Sequence, residues 1–375
     1  MNSTGKIADI YLPIIYRFCS LLHYFRVKYA LPYVPYNPHM KKTLLLLAFI
    51  SSALHFQVSG QGTFQVKGRF LHDPNGEKVI LRGVNEMFIW SKRDLTGEAT
   101  FPEIAKTGAN VVRIAWLSST ENPRGAAANL DAVISNCVKS GMIPMPELHG
   151  ATGDWSKLQQ QVDYWVSPEV VQVLKKHEPY LLLNIANEVG DSKVTDKQFR
   201  EEYERAVARV RKAGIHCPLV IDGANWGQSI DILQANGPHL LQKDPLQNLL
   251  FSVHMWWTAP DGATKRIEDE IKESVELGLP LIVGEFAPMG VGCAESIDYK
   301  TILEECQKNE IGWMAWSWGL VDNGDCKLMD MTDNQNKGRF EGLTGWGKEV
   351  ALTDKYSISN TAQKTRYMQT LGKGK

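Results

Sequence analysis

The sequence predicts an α/β fold of the (β/α)8 TIM barrel type, and three observations support this prediction. Eight short apolar segments, each suited to a strand buried in a parallel sheet, follow one another from residue 79 onward. Amphipathic, helix-like segments separate them, and several end at a glycine, which helix C-termini favour. Strict alternation with eight strands favours closure into a barrel over an open sheet. We therefore expect a single barrel domain at residues 61–375, with a short N-terminal β-hairpin.

The predicted elements can be placed in chain order. Residues 63–72 and 77–84 alternate apolar side chains around the turn Asp73-Pro-Asn-Gly76, which predicts a hairpin able to close the bottom of the barrel. We predict barrel strands at residues 79–84, 110–116, 143–149, 180–187, 217–222, 249–255, 280–286 and 312–318. The helix-like segments include residues 130–140, 157–176, 198–213, 265–277 and 299–309. Active sites of this architecture lie at the C-terminal ends of the strands, so polar residues there are the candidates for function.

Composition narrows the classes of function. The chain has 375 residues, 43% hydrophobic and 22% charged, which is ample for a large buried core. A formal net charge of −1 gives no reason to expect nucleic acid or an anionic membrane as a partner. Since the sequence contains no P-loop, no Rossmann glycine pattern and no metal-spaced Cys/His cluster, we expect neither a cofactor nor a metal. We also expect a monomer.

A secretory signal pattern begins unusually far into the chain. Residues 40–60 combine a charged start, an apolar core and small residues up to a cleavage site at Val58-Ser-Gly60. We therefore expect a secreted protein, extracellular or periplasmic in a Gram-negative host, with no membrane association after cleavage. Residues 1–39 are interpreted as an upstream extension that precedes the true start of translation. The alternatives are a genuine extension, or a membrane anchor formed by residues 1–60.

Export permits disulfides, and five cysteines follow the signal pattern. They are Cys137, Cys217, Cys293, Cys306 and Cys326. In a barrel with the predicted strands, Cys293 and Cys326 lie in neighbouring loops on the same face, which makes them the best candidate pair. The alternative is five buried thiols.

Two of the predicted strands end in a glutamate. Tyr180-Leu-Leu-Leu-Asn-Ile-Ala-Asn-Glu188 is an apolar strand followed by an amide and an acid, and Leu279-Pro-Leu-Ile-Val-Gly-Glu285 has the same form. Burial at a strand end raises the pKa of a carboxyl group, as a general acid near neutral pH requires. Two carboxyl groups facing each other across a cleft are the pair that glycoside hydrolysis uses. Glu188 and Glu285 are therefore the candidate catalytic residues.

Other polar and aromatic side chains fall at the same end of the predicted strands. They are Asn85, Glu86, Arg113, Glu147, His149, Asn187, Asp222, Asn225, His254, Trp316 and Trp318. Over about residues 63–350, this ordered set of residues resembles the signature of glycoside hydrolase family 5, clan A. The matching motifs are Arg113 in Val-Val-Arg-Ile, His149 in Glu-Leu-His-Gly, Asn187-Glu188, His254 in Ser-Val-His-Met, Glu285 in Val-Gly-Glu-Phe and Trp316 in Ala-Trp-Ser-Trp. A closer resemblance, to the bacterial-type endo-β-1,4-mannanases, rests on Asn184-Ile-Ala-Asn-Glu, Trp226-Gly-Gln and Leu343-Thr-Gly-Trp-Gly.

The resemblance implies a retaining double displacement. Glu188 would act as acid and then as base, and Glu285 as the nucleophile, with Arg113 favouring the charged form of Glu285. Asn187 would bind the sugar 2-hydroxyl. Further candidates for substrate binding are Asn85, His149, His254, Trp90, Trp226, Trp256, Trp316 and Trp318. The tryptophans are included because indole faces stack on sugar rings.

One position departs from the family pattern. That family has His-x-Tyr, whose phenol supports the nucleophile, whereas this chain has His254-Met-Trp256. An indole N–H donates a hydrogen bond but cannot accept a proton. Either Trp256 takes the role of the tyrosine, or another donor replaces it.

Two further acidic features are open at this level. Glu86 is either a contact to substrate or the partner of Lys92 or Arg93. The acidic loop from Asp322 to Asn334 lacks the spacing of an EF-hand, so we interpret it as a solvated loop rather than a calcium site.

The sequence thus predicts a secreted, endo-acting, retaining glycosidase that cuts internal β-1,4 bonds of a β-mannan: mannan, glucomannan or galactomannan. A β-1,4-glucanase of the same family is the alternative, because the loops that sense the configuration at C2 cannot be positioned from sequence. A catalytically silent glycan-binding barrel is the alternative from another class, prompted by Trp256.

Overall fold

The computed structural model describes residues 62–258 and 263–371, and these form a closed parallel barrel surrounded by helices. The barrel strands are β4 Arg82–Glu86, β5 Val111–Trp116, β6 Ile143–Leu148, β7 Leu183–Asn184, β8 Leu219–Asp222, β9 Leu249–His254, β10 Leu281–Glu285 and β11 Gly312–Ala315. Each pairs with the strand that follows it in the chain, and β11 pairs with β4 to close the ring. The predicted (β/α)8 barrel is confirmed.

A small antiparallel sheet precedes the barrel, as predicted. It consists of β1 Gln65–Lys67, β2 Phe70–His72 and β3 Lys78–Val79. Phe64 and Leu71 pack in one buried cluster with apolar residues near the N-terminal ends of the barrel strands, so this sheet covers the bottom of the barrel. The single strand predicted at residues 79–84 is two strands in the structure, because β3 ends at Val79 and the first barrel strand, β4, begins at Arg82.

The helices are α1 Thr100–Ala105, α2 Ala127–Lys139, α3 Leu158–Trp165, α4 Pro168–His177, α5 Asp196–Lys212, α6 Ile230–Lys243, α7 Ala263–Glu276, α8 Tyr299–Lys308, α9 Gly345–Lys348 and α10 Ile358–Thr361. The single helix predicted at residues 157–176 is divided, because Pro168 begins a new helix. The predictions did not include α6, whose interior Pro238 is an unfavourable signal for a helix. Here tertiary packing outweighs local propensity.

Strand β7 is much shorter than the predicted residues 180–187. Only Leu183 and Asn184 pair as regular strand, although the backbone N–H groups of Ile185 and Asn187 still donate to the neighbouring strands. The chain then turns at Glu188, whose φ is +48°. This turn ends the extended segment and lifts the glutamate side chain above the barrel.

Cysteine pairing is now defined within the described part of the chain. Cys293 and Cys326 form a disulfide with their Cα atoms 5.0 Å apart, as predicted for the best candidate pair. Cys137, Cys217 and Cys306 are buried free thiols.

The predicted signal segment, residues 40–60, and the extension, residues 1–39, lie outside the described residues. Between Gly62 and Leu371, gaps excepted, none of the helices combines the length and apolar character needed to cross a bilayer.

Candidate active site

The two predicted catalytic glutamates meet at the C-terminal end of the barrel. Glu285 is the last residue of β10, and Glu188 follows β7. Both are nearly buried, with 3% and 8% of their surface exposed. A carboxylate oxygen of each and a ring nitrogen of His254 lie within 4.8 Å of one another. They border a pocket of about 180 Å³ that is also lined by His149, Trp256 and Trp316.

A fully buried arginine organises the floor of this pocket. Arg113 lies within β5 and donates to Glu285 Oε1 at 2.6 Å, so it supports the nucleophile candidate directly. Its other donations go to Asn85, Asn184, Asn187 and Asp222 at 2.7–3.1 Å. Burial alone would lower the pKa of Arg113, but the surrounding carboxylates raise it above its ordinary value. The guanidinium is therefore a permanent cation among acidic groups.

The protonation of the site is shared among several groups. Burial raises the pKa of Glu285, and the charge of Glu188 adds to this, while His254 and Arg113 act in the opposite direction. For His254, burial favours the neutral ring, but the carboxylates of Glu285, Asp222 and Glu188 outweigh it and raise the pKa to about 9. Such closely spaced groups titrate as a set rather than singly.

His254 and His149 each contact one carboxylate closely. His254 Nδ1 lies 2.7 Å from Glu188 Oε1, and His149 Nδ1 lies 2.7 Å from Glu147 Oε1. Burial favours the neutral ring of His149, but the charge of Glu147 outweighs burial and raises the pKa of His149. The far nitrogen of the His149 ring, Nε2, lies 3.4 Å from Asn187 Nδ2, at the edge of the pocket.

Three of the tryptophans predicted to bind substrate lie in or near the loops around this pocket: Trp316 lines it, Trp90 contacts His149, and the backbone N–H of Trp226 donates to Gly190. The ring of Trp316 stacks on that of His149, with centroids 5.8 Å apart, and Trp90 packs edge-on against the same ring at 5.4 Å. Trp90 and Trp226 are unusually exposed for tryptophans, at 38% and 44%. Free indole faces of this kind are suited to stacking on sugar rings.

Trp256 lines the pocket but makes no hydrogen bond from its ring nitrogen to any described residue. It does not supply the donation to Glu285 that the family tyrosine would provide. Arg113 donates to Oε1 of Glu285, a contact expected independently of this position, and His254 Nδ1 lies 3.5 Å from the second oxygen of Glu285. Of the two alternatives, the first is not supported, because Trp256 does not take the role of the tyrosine.

Two predicted substrate-binding residues do not reach the pocket. Trp318 is wholly buried, and its Nε1 donates to the carbonyl of Gly338 at 2.8 Å. Asn85 is also buried, because its amide donates to the carbonyl of Gly284 and accepts from Arg113. Trp318 is therefore a core residue, and Asn85 acts by positioning Arg113.

Glu86 fulfils neither of its two predicted roles. It is buried, and it accepts backbone N–H groups of Met87 at 2.6 Å and Leu320 at 2.9 Å. Among the described residues it forms no ion pair with Lys92 or Arg93. Burial raises the pKa of Glu86 to about 7. It ties the end of β4 to the loop that follows β11.

Sequence reasoning missed the residue that holds Trp316 in place. Asn323 accepts from Trp316 Nε1 at 2.7 Å and in turn donates to Asp330 at 2.7 Å. In the same acidic loop, Asp322 is paired with Lys337. The loop therefore uses its carboxylates to shape one wall of the pocket, and Cys326 ties that wall to Cys293.

Asp222 and Glu147 were noted at strand ends without a role, and the structure brings both to Arg113. Their distances to its guanidinium are 3.1 and 3.7 Å. Among the described residues, Glu188, His254 and Glu285 also form the one group whose ligand atoms could surround a metal ion. Because Arg113 already places a cation against Glu285, we interpret this group as acid–base machinery.

Comparison with known proteins identifies close relatives. The family model described as cellulase (glycosyl hydrolase family 5) matches residues 72–321. The mannan endo-1,4-beta-mannosidase of Cellvibrio japonicus (strain Ueda107) is 31% identical over 312 residues, 82% of this chain and 70% of the relative. That of Salipaludibacillus agaradhaerens is 30% identical over 76% of this chain and 90% of the relative. The mannotriose complex of the Thermomonospora fusca beta-mannanase superposes with a TM-score of 0.73 at 29% identity, covering 82% and 99% of the two chains.

Proposed function

The chain belongs to glycosyl hydrolase family 5, and from this membership and the geometry of its site we propose that it is a retaining endo-β-1,4-mannanase. The single observation that carries the mechanism is the approach of the Glu188 and Glu285 carboxylates, which lie within 4.8 Å. Retaining glycosidases need their two carboxyl groups about 5–5.5 Å apart, whereas inverting enzymes leave about 6.5–9.5 Å for a water molecule.

The reaction proceeds in two displacements. Glu285 attacks the anomeric carbon while Glu188 transfers its proton to the departing glycosidic oxygen, which leaves a glycosyl ester on Glu285. Glu188, now ionised, removes a proton from water, whose oxygen attacks the same carbon and releases Glu285. Arg113 stabilises the carboxylate of Glu285 before attack and after release.

Substrate binding falls to the side chains around this pair. Arg113 and Thr152 hold the amide of Asn187 at 2.7 and 2.8 Å, and we assign this amide to the sugar 2-hydroxyl. Trp316 lines the pocket, and we assign the exposed indole faces of Trp90 and Trp226 to stacking on further sugars of a long polymer. A β-mannan is preferred over a glucan because the relatives reported above are named for mannan or mannanase activity.

The location and the domain order are part of the same proposal. We assign residues 40–60 to a cleaved signal and residues 61–375 to a secreted catalytic barrel, with residues 1–39 upstream of the true start. The test is expression of the full chain and sequencing of the N-terminus of the protein in the medium. A terminus near Gln61 is expected, whereas retention in a membrane fraction would support an anchor.

The activity is tested by reducing-sugar release from glucomannan, galactomannan, carboxymethyl-cellulose and mixed-linkage glucan in parallel. Activity confined to the two mannans, and lost on Glu285→Ala, is expected. Activity on the glucans alone would replace mannanase by glucanase and keep the mechanism. Binding to glucomannan with no release of reducing ends would overturn the proposal in favour of a glycan-binding barrel.

A further inference from the structure

A carboxylate below the pocket connects the two halves of the catalytic machinery. Asp222 is the last residue of β8 and is wholly buried. Its Oδ2 accepts from Arg113 Nη2 at 3.1 Å and from the backbone N–H of Glu188 at 3.2 Å. The same oxygen lies 3.4 Å from His254 Nε2. Asp222 thus contacts the backbone of the acid candidate Glu188, the ring of His254 and the guanidinium of Arg113, which itself contacts the nucleophile candidate Glu285.

The surroundings of His254 favour a proton on each ring nitrogen, although the contact of Nε2 with Asp222 is one of charge and not a hydrogen bond. Nδ1 lies 2.7 Å from Glu188 Oε1 and 3.5 Å from Glu285 Oε2, while Nε2 faces Asp222. Glu188 carries a proton before the acid step, but Glu285 and Asp222 face the ring as ionised groups that only accept hydrogen bonds, so a ring nitrogen without a proton would be repelled by the oxygen opposite. Arg113, the nearby permanent cation, is already engaged by Asp222 and Glu285. His254 is therefore placed as an imidazolium between two carboxylates.

We propose that Asp222 is a positioning residue for the acid step: it keeps His254 doubly protonated and holds the backbone of Glu188. The inference rests on the proposed glycosidase reaction for its consequence. When Glu188 gives its proton to the glycosidic oxygen, it becomes a carboxylate, and the N–H of His254 already points at Oε1 to stabilise that charge. No proton leaves His254 in this step.

A purely structural role for Asp222, neutralising Arg113, makes a different prediction. In that case its removal would disturb the nucleophile Glu285, and every substrate would suffer alike. If Asp222 acts through Glu188, the loss must depend on how much the leaving group needs an acid. The leaving group therefore separates the two roles.

The experiment compares Asp222→Asn with wild type on glucomannan and on a 2,4-dinitrophenyl β-mannobioside. We expect kcat/KM to fall about 10- to 100-fold on the polymer, at or below the lower end of the roughly 10²- to 10⁴-fold that acid catalysis supplies, because Asp222 acts through the acid and is not the acid itself. On the aryl glycoside the fall is expected to be only a few-fold. Equal losses on both substrates, or no loss on the polymer, would overturn the proposal.

Asp244→Asn is the matched control, because Asp244 is another buried aspartate paired with an arginine, Arg211. It is expected to lower stability without changing the ratio of the two rates. A ratio that shifts equally in Asp244→Asn would mean that the effect comes from loss of stability, and the role of Asp222 would be rejected.

A second measurement needs neither substrate nor a folded variant at position 222. In ¹⁵N NMR of the wild-type protein, the ring of His254, assigned by its absence in His254→Gln, should carry protons on both nitrogens at pH 7. A neutral ring would overturn the proposal even if Asp222→Asn failed to fold. Conversely, an imidazolium in a protein that releases no sugar from any polymer would contradict the proposed function and leave the arrangement around His254 intact.

Discussion

Two buried arginines, one at each end of the barrel, use all five of their N–H groups in opposite ways. At the bottom, Arg211 binds both oxygens of Asp244 at 2.9 Å and gives its remaining donors to the backbone carbonyls of Ile215, Cys217 and Asn248. At the top, every donor of Arg113 goes to a side chain: Asn85, Asn184, Asn187, Asp222 and Glu285.

The difference separates a structural charge from a functional one. Arg211 and Asp244 form a closed pair of opposite charges that joins the segments before β8 and β9. Arg113 instead lies among Glu147, Asp222, Glu188 and Glu285, more acids than it can neutralise. Protons on His254 and His149 offset part of this excess, since the nearby carboxylates outweigh burial and raise the pKa of both rings. An incompletely neutralised cluster of this kind stores the proton that the reaction needs.

The largest expected effect lies at the top of the barrel. Glu285→Ala should lower kcat/KM on glucomannan by roughly 10⁴-fold or more, since no covalent intermediate can form. Polymer binding should stay close to wild type, and the melting temperature at neutral pH should not fall, because burial opposes the ionised form of Glu285. Kinetics, affinity electrophoresis and calorimetry measure the three quantities. A variant that hydrolyses glucomannan normally would exclude Glu285 as the nucleophile.

The second effect depends on the substrate. Glu188→Ala should lose about 10²- to 10⁴-fold on glucomannan, the contribution expected of a general acid. The first step on a dinitrophenyl glycoside should be nearly normal, because that leaving group departs without a proton. Burst kinetics followed by slow release would be the observation. An equal loss on both substrates would contradict the role of Glu188 as acid.

At the bottom of the barrel, stability should change and activity should not. Asp244→Ala leaves Arg211 buried without its partner, which should lower the free energy of unfolding by about 3–5 kcal/mol. At a temperature where both proteins are folded, kcat/KM should be unchanged. Asp269→Ala, which removes an exposed pair with Lys265, is the control and should change the free energy of unfolding far less. A large fall in kcat/KM of Asp244→Ala would remove the distinction between the two ends.

The smallest expected effect is a difference in how the free energy of unfolding depends on pH at the two ends of the barrel. Burial acts to raise the pKa of Asp244, but the hydrogen bonds from Arg211 outweigh burial and lower this pKa. Its stabilisation is therefore complete above the unfolded pKa, about 3.9, and is lost as the pH falls through the lower folded value. For Glu285 the folded pKa is raised, mainly by burial, so its ionisation destabilises the fold as the pH rises above about 4.3, the unfolded value.

Urea unfolding from pH 3 to pH 8 tests these signs. Relative to wild type, Asp244→Asn should be less stable at neutral pH and approach wild type in acid. Glu285→Gln should gain stability with rising pH over the same range. Parallel curves for the two variants would show that both ends of the barrel titrate alike.

Sequence reasoning identified Glu188 and Glu285 as the candidate catalytic pair, but not the contacts that surround it. Glu188 and Glu285 were predictable because each ends an apolar segment, a local pattern that marks the mouth of a parallel barrel. Asp222 ends its strand in the same way, yet its role depends on contacts with Arg113, His254 and the backbone of Glu188. These partners lie on three other segments of the chain, so the distances were not contained in any local pattern.

The amino-acid sequence by itself determined the barrel, the order of its strands and the face that carries the reaction, because hydrophobic periodicity and strand ends are local properties. Only the tertiary structure decided which strand-end side chains enter the pocket. It placed Trp316 over the cleft and Trp318 in the core, turned Asn85 toward Arg113, and left Trp256 in the pocket lining without the role of the tyrosine. Side-chain direction and long-range hydrogen bonding depend on how distant strands meet, and burial then selects the contacts that satisfy every polar group.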